Sequence, residues 1–335
     1  MKVGLFSPYL DTLGGGERYF FTVAEYFLKR GDKVDIFWKE KIDSKEISKR
    51  FGFDLDGVRF VSGLKTLGYD LLFFLSDGSL PLSFSKRTII HFQVPFVNIT
   101  PNLLNRLKLF RTTVVCNSIF TKQRIDKTYG IDSKVLYPPV DVENFSPGKK
   151  ENIILGVGRF FAPLHPKKQE IMVEAFKKIK SDWSLVLVGG VTGEKSKESV
   201  EALKRKARGF KIQILTDCSF EQLQGYYAKA KLFWHATGFG EDLENHPEKA
   251  EHFGITTVEA MAAGCVPLVF SGGGQKEIID NGADGWLWET VDRLVEQTQG
   301  LIKNEKTRTE MANKAMEKAK LYSKETFFSG LDKII

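Results

Sequence analysis

Cysteine is scarce in this sequence: Cys116, Cys218 and Cys265 are three among 335 residues, an odd number at wide spacings. That excludes a disulfide framework and a CxxC metal pair, and it fits a reducing compartment. Long apolar runs are missing as well; none approaches the ~18 residues that a membrane span needs. The opening MKVGLFSPYL has no extended apolar core and no small-residue cleavage site, so it reads as a first strand and not as a signal peptide. No short-period repeat and no low-complexity tract interrupts the chain. These absences lead to the expectation of a cytoplasmic protein, with peripheral contact at the cytosolic membrane face left open. A net charge of +7 admits an anionic ligand, an anionic bilayer or nucleic acid, and equally a lysine-rich solvated surface.

What is present is alternation. Strand-like runs (KVGLF at 2–6, VDIFW at 34–38, 71–75, 88–92, 113–116) alternate with helical patterns such as 17–29 and 120–129. Around 135–150 the pattern breaks at Pro138, Pro139, Pro147 and Gly148, which is linker chemistry. A second series then runs from 153 to 270, and 290–335 reads as two or three helices. Such alternation predicts parallel strands with crossover helices. The length suits two domains, 1–147 and 148–321. Two doubly wound domains have two strand-end crevices, and facing each other these would form one interdomain cleft.

Four segments stand where such folds bind ligands. Gly14, Gly15 and Gly16 fall between the first strand and the first helix, where glycine lets backbone N–H groups approach an anion; a plain tight turn explains them equally well. The spacing is not GxGxxG, and no acidic ribose anchor follows, so a dinucleotide site is weakly supported. In GVGRFFAPLHPKKQ, Arg159 follows a strand, and Lys167 and Lys168 open a helix. Cations so placed converge on a diphosphate, unless both are simply solvated. In EHFGITTVEAMAAG, Glu251 and Glu259 bracket a Phe253-Gly254-Ile255 loop and a helix start rich in free N–H donors. Thr256-x-x-Glu259 is also a capping-box pattern. SGGGQKE at 271–277 follows another strand, either lining a phosphate or making a turn.

Over nearly its whole length the chain resembles the retaining GT-B glycosyltransferases of family 4, the lipid-linked-oligosaccharide mannosyltransferases among them. GGGER, YPPVDVENF, GRFFAPLHPKKQEIMVEAF, EHFGITTVEAMAAGCVPLV and GGGQKEI carry the resemblance. It implies that Arg159 and Lys167 hold the donor diphosphate. Glu251 would contact the transferred sugar, Glu259 the ribose, and the Phe253-Gly254-Ile255 backbone the sugar and phosphate. Gly15 and Gly16 would close over the donor from the other domain. His91, in IIHFQVPF, resembles a histidine that reaches the donor sugar; a satisfied strand-end histidine is the other reading. The segment between Arg159 and Lys167, with His165 and two prolines, is longer than in many relatives, which leaves Lys168 as an alternative to Lys167. The acidic insert that begins at His235 is a candidate to shape the acceptor or donor pocket.

The implied function is transfer of a hexose from a nucleotide sugar, GDP-mannose or a UDP-hexose, to a glycan or lipid-linked acceptor. Neither a metal nor a bound cofactor is expected if side-chain cations neutralise the diphosphate, and no nucleic-acid partner is expected. The alternatives are a GT-B nucleotide-sugar epimerase and a catalytically silent nucleotide- or carbohydrate-binding module. The resemblance also implies that the last helix, 322–335, crosses back onto the first domain. The segment NLLNRLKLFR, 102–111, has the makings of a basic amphipathic helix for an anionic bilayer. Its competitor is an ordinary surface helix with Leu103, Leu104 and Leu107 packed inward.

Overall fold

The computed structural model describes residues 1–10, 14–38, 52–53, 55–96, 102–160 and 166–335. His165, noted in the sequence, lies outside them. Two compact units result: Met1–Pro139 together with Lys324–Ile335, and Val140–Ser323.

In the first unit the strands β1 (Lys2–Phe6), β2 (Lys33–Phe37), β3 (Arg59–Val61), β4 (Leu71–Ser76), β5 (Arg87–Phe92), β6 (Thr112–Cys116) and β7 (Lys134–Val135) form one parallel sheet, ordered β3-β2-β1-β4-β5-β6-β7. β4 reads LLFFLS and is buried at every position. A run without alternation is what a strand covered on both faces requires. One cover is α1 (Gly15–Lys29), which buries Tyr19, Phe20, Phe21, Val23 and Phe27. Its entry is fixed by Glu17, whose carboxylate accepts the Gly14 N–H at 2.9 Å. The helices α2 (Leu103–Leu109) and α3 (Ile119–Tyr129) follow.

The inward packing expected of α2 is not found. Leu103, Leu104, Leu107 and Phe110 are 75%, 56%, 64% and 86% exposed. The reason lies in how the helix is anchored: Leu109 is its one buried residue, and Lys108 Nζ donates to the Leu80 carbonyl at 2.8 Å.

The second unit repeats the plan with β8 (Glu151–Val157), β9 (Ser184–Gly189), β10 (Ile212–Thr216), β11 (Ala230–His235), β12 (Val266–Phe270) and β13 (Trp286–Trp288), parallel in the order β10-β9-β8-β11-β12-β13. Its helices are α4 (Gln169–Lys177), α5 (Glu194–Ala207), α6 (Phe220–Lys229), α7 (Ile255–Ala262), α8 (Gln275–Ile278), α9 (Val291–Lys303) and α10 (Glu305–Ala319). The chain changes units at Pro139/Val140, ahead of the 147/148 boundary drawn from the proline cluster. Residues 140–148 belong to the second unit by their bonds. Val140 N–H donates to Tyr322 O at 2.9 Å and Gly148 N–H to Ala228 O at 3.0 Å, while Phe145 meets Tyr227 edge-on at 5.2 Å. A last helix, α11 (Lys324–Asp332), returns to the first unit and buries Phe327 and Leu331 in its core, with Phe327 edge-on to Tyr19 at 4.9 Å.

Each sheet reverses its winding once, between β1 and β4 and between β8 and β11. The loops after the carboxyl ends of those strands are where an open α/β sheet takes its ligand.

Candidate active site

The switch point of the second unit gathers the chemistry. β8 ends at Val157, and Gly158-Arg159 follow; β11 ends at His235. Arg159 is exposed and pairs with no carboxylate among the described residues. Lys167 lies across Gly158, where an added Cβ would come within 2.8 Å of the lysine Cγ. Its ammonium reaches Glu251 Oε2 at 2.7 Å. Lys168 adopts a left-handed backbone, φ 53°, and turns away to Glu241 at 2.6 Å, which Lys249 also bonds at 2.9 Å. The hydrogen bonds from Lys168 and Lys249 hold the Glu241 carboxyl below its ordinary value. The acidic insert thus anchors one lysine, and the other is left to Glu251.

The Glu251 loop is built on close backbone contacts. Gly254, φ 126°, is the N-cap of α7, a conformation that a side chain would strain. Beneath the loop runs the 271–274 glycine turn: Gly274 N–H donates to Glu251 O at 2.8 Å, and a Cβ at Gly273 would fall 2.1 Å from that same oxygen. Those glycines support the Glu251 backbone.

Two groups the sequence reading did not single out complete the cluster. His235 Nε2 lies 2.9 Å from Glu251 Oε2, with the Thr237 hydroxyl at 3.3 Å from the same nitrogen. Burial pushes the Glu251 carboxyl up, but the Lys167 charge and the His235 bond outweigh it and hold it well below the ordinary carboxylate range. Burial lowers His235 against the pull of Glu251. Tyr227, on α6, donates its hydroxyl to Glu259 Oε2 at 3.0 Å. Glu259 is buried on the fifth residue of α7. With Gly254 at the N-cap, the Thr256-x-x-Glu259 capping box is not formed. Phe253 is buried, its ring 5.3 Å from that of Tyr322, and Ile255 opens the helix.

In the first unit Gly15 and Gly16 open α1, as the sequence places them. His91, which the resemblance has reaching the donor sugar, lies inside β5. It is fully buried, stacked on Tyr19 at 4.0 Å and Phe73 at 5.8 Å, and burial takes its pKa down to about 3. Neither ring nitrogen has a partner among the described residues. The cause is depth along the strand: His91 sits inside β5, and Gln93, two positions on, lies just past its end at Phe92. A Cβ at Gly16 would lie 2.6 Å from Gln93 Oε1, and Asn117 Nδ2 fixes the Gln93 carbonyl at 3.0 Å. Period-two counting from His91 is the signal that finds Gln93.

Comparison with known proteins identifies the family and the fold. Residues 141–318 match the family described as glycosyl transferases group 1, and the chain belongs to that family. A GDP-Man:Man(3)GlcNAc(2)-PP-Dol alpha-1,2-mannosyltransferase of Dictyostelium discoideum is 27% identical over 255 residues, 69% of this chain and 48% of that protein. An O-antigen chain mannosyltransferase of Salmonella typhimurium is 30% identical over 205 residues, 56% of this chain and 52% of that protein. The chain thus spans about half the length of these relatives, and 35% of the matching mouse protein. In overall fold it is similar to Anabaena HepE, solved in complex with UDP and glucose, at 16% identity and TM-score 0.74 over 99% of both chains. A glycosyltransferase of Rickettsia africae gives TM-score 0.77 at 18% identity over 99% of this chain and 97% of that one. The two parallel sheets are the Rossmann-like pair of the GT-B plan.

Proposed function

We propose that the chain moves a hexose, with retention, from a nucleotide sugar to a glycan or lipid-linked acceptor, and that the donor is GDP-mannose. The observation that carries this is the Lys167–Glu251–His235 cluster at the β8/β11 switch point. Breaking the bond from the anomeric carbon to the diphosphate leaves negative charge on the phosphate oxygens and positive charge on the sugar. Arg159, Lys167 and the N-terminal amides of α7 answer the first, and the Glu251 carboxylate the second. The buried Glu259 takes the ribose hydroxyls. With cations supplied by side chains, the reaction proceeds without a metal. The mannosyltransferase names of the Dictyostelium and Salmonella relatives support the donor. Calorimetry with GDP and UDP, followed by turnover of GDP-mannose against UDP-glucose, tests the reading. Binding of neither nucleotide would end it, and preference for UDP would end the mannose half.

The acceptor side of the proposal includes an anionic bilayer, supported by the exposed Leu103, Leu104, Leu107 and Phe110 beside Arg106, Lys108 and Arg111. No helix among the described residues is long and apolar enough to cross a membrane. Wild-type protein should sediment with vesicles containing an anionic phospholipid, and charge reversal at the three basic positions should abolish this while nucleotide-sugar hydrolysis persists. Indifference of the wild type to such vesicles at low salt would reject it.

A further inference from the structure

Lys167 Nζ and His235 Nε2 bond one and the same oxygen, Glu251 Oε2, at 2.7 and 2.9 Å. The two donors are mounted differently. Lys167 stands on irregular chain before α4 and carries its charge at the end of a flexible stem. His235 closes a strand paired on both sides, β8 and β12, and its side chain is 2% exposed. An ionised carboxylate only accepts, so the histidine proton is on Nε2. That leaves Nδ1 bare, and it is buried without a partner among the described residues. An apolar side chain of the same shape would avoid this penalty, so packing alone does not explain an imidazole here. What the ring adds is a fixed N–H aimed at Glu251.

In the proposed transferase, Lys167 serves the donor diphosphate, and an ammonium drawn to phosphate oxygens loosens its hold on Glu251. We propose that His235 is a positioning residue of the transfer site: its Nε2–H keeps the Glu251 carboxylate aimed when Lys167 leaves it for the diphosphate of a bound nucleotide sugar. The inference rests on the transferase reading. Titratable groups facing Glu251 are Lys167 and His235, and those facing His235 are Glu251 and Lys167. Once Lys167 has moved, the His235 bond is what still opposes the effect of burial on the carboxyl. Without that bond, Glu251 takes up a proton at higher pH.

The test is carboxyl-carbon NMR of glutamate-labelled protein with GDP or UDP bound, the Glu251 signal being assigned by its loss in Glu251→Gln. Wild type is compared with His235→Gln, which keeps an N–H donor, and His235→Leu, which keeps the bulk without it. The Glu251 midpoint should rise by about one pH unit or more in the leucine variant and stay near wild type in the glutamine variant. The acid limb of kcat should move in parallel while KM changes little. Coincident midpoints in wild type and the leucine variant, with nucleotide bound, would reduce His235 to a packing residue and leave the transferase reading intact. If neither nucleotide binds wild type, that reading fails and takes this inference with it. Should the leucine variant not fold, ring-nitrogen NMR of the wild type decides: a proton on Nδ1 in place of Nε2 overturns the proposal, and one on Nε2 upholds it.

Discussion

Replacing His91 with phenylalanine should flatten the acid response of the first unit. His91 is enclosed between Tyr19 and Phe73, and burial holds its pKa at about 3. In an unfolded chain the same ring titrates near ~6.5. The folded value is the depressed one, so between the two the unfolded state binds more protons. Stability therefore falls as pH drops through the unfolded value and goes on falling toward the folded one. Between about pH 7.5 and pH 5 this single group costs about 2 kcal/mol, at about 1.4 kcal/mol per unit below its unfolded pKa. Phenylalanine keeps the aromatic stack and carries no proton. The assay is urea unfolding read by fluorine NMR of fluorotryptophan-labelled protein. Trp38 is the one tryptophan of the first unit, and Trp183, Trp234, Trp286 and Trp288 all belong to the second. The Trp38 transition of wild type should weaken by about 2 kcal/mol more than that of His91→Phe over this range. The packing cost of the substitution is the same at both pH values and cancels. Equal losses in the two proteins would show that His91 charges in place, and the burial argument would fail.

Glu251→Gln should lower turnover by about 100-fold or more while nucleotide affinity stays within a few-fold, because its contacts matter most as charge develops; equal losses in both would refute the assignment. Lys167→Met leaves Glu251 without its ammonium and should cost about 3 kcal/mol of second-unit stability, whereas Lys167→Met with Glu251→Gln should cost less; a double variant no more stable than the single one, in denaturant titration, would show the pair to be uncoupled. Glu259→Ala should weaken GDP binding about 10-fold or more, and Tyr227→Phe should do so to a smaller degree; unchanged calorimetric affinity with reduced stability would assign Glu259 to the fold. Turnover should survive EDTA, and abolition with recovery on adding magnesium or manganese would reject the metal-free mechanism.

The long strands and helices were legible because each carries enough residues for its period to show. β3, β7 and β13 were not, having three, two and three residues. Lys167 and Glu251, 84 positions apart, were assigned to one donor site only through the family resemblance, and their ion pair was not foreseen. His235 was read only as the start of an insert because its meaning comes from Glu251, 16 residues on, along a path that local pattern does not predict. For β5 the strand was legible and the choice of residue was not: alternation allows His91 and Gln93 on one face, and only the depth of the strand end says which of them is buried. In the same way the leucines of α2 have helical spacing, which states that they share a face and not whether that face is covered.

Because Phe327 and Leu331 complete the core of the first unit, that core is not finished until the ribosome has translated past α11. The second unit lies wholly upstream of that point. At ~5–20 residues per second its whole length emerges over roughly 10–40 s, during which the Tyr19 edge that Phe327 later covers stays open. The two cores are therefore completed out of sequence order, the second unit's first. A chain cut or stalled after residue 323 would carry a finished second unit and an unfinished first one, with the Phe327 side of Tyr19 uncovered for chaperones or proteases to meet.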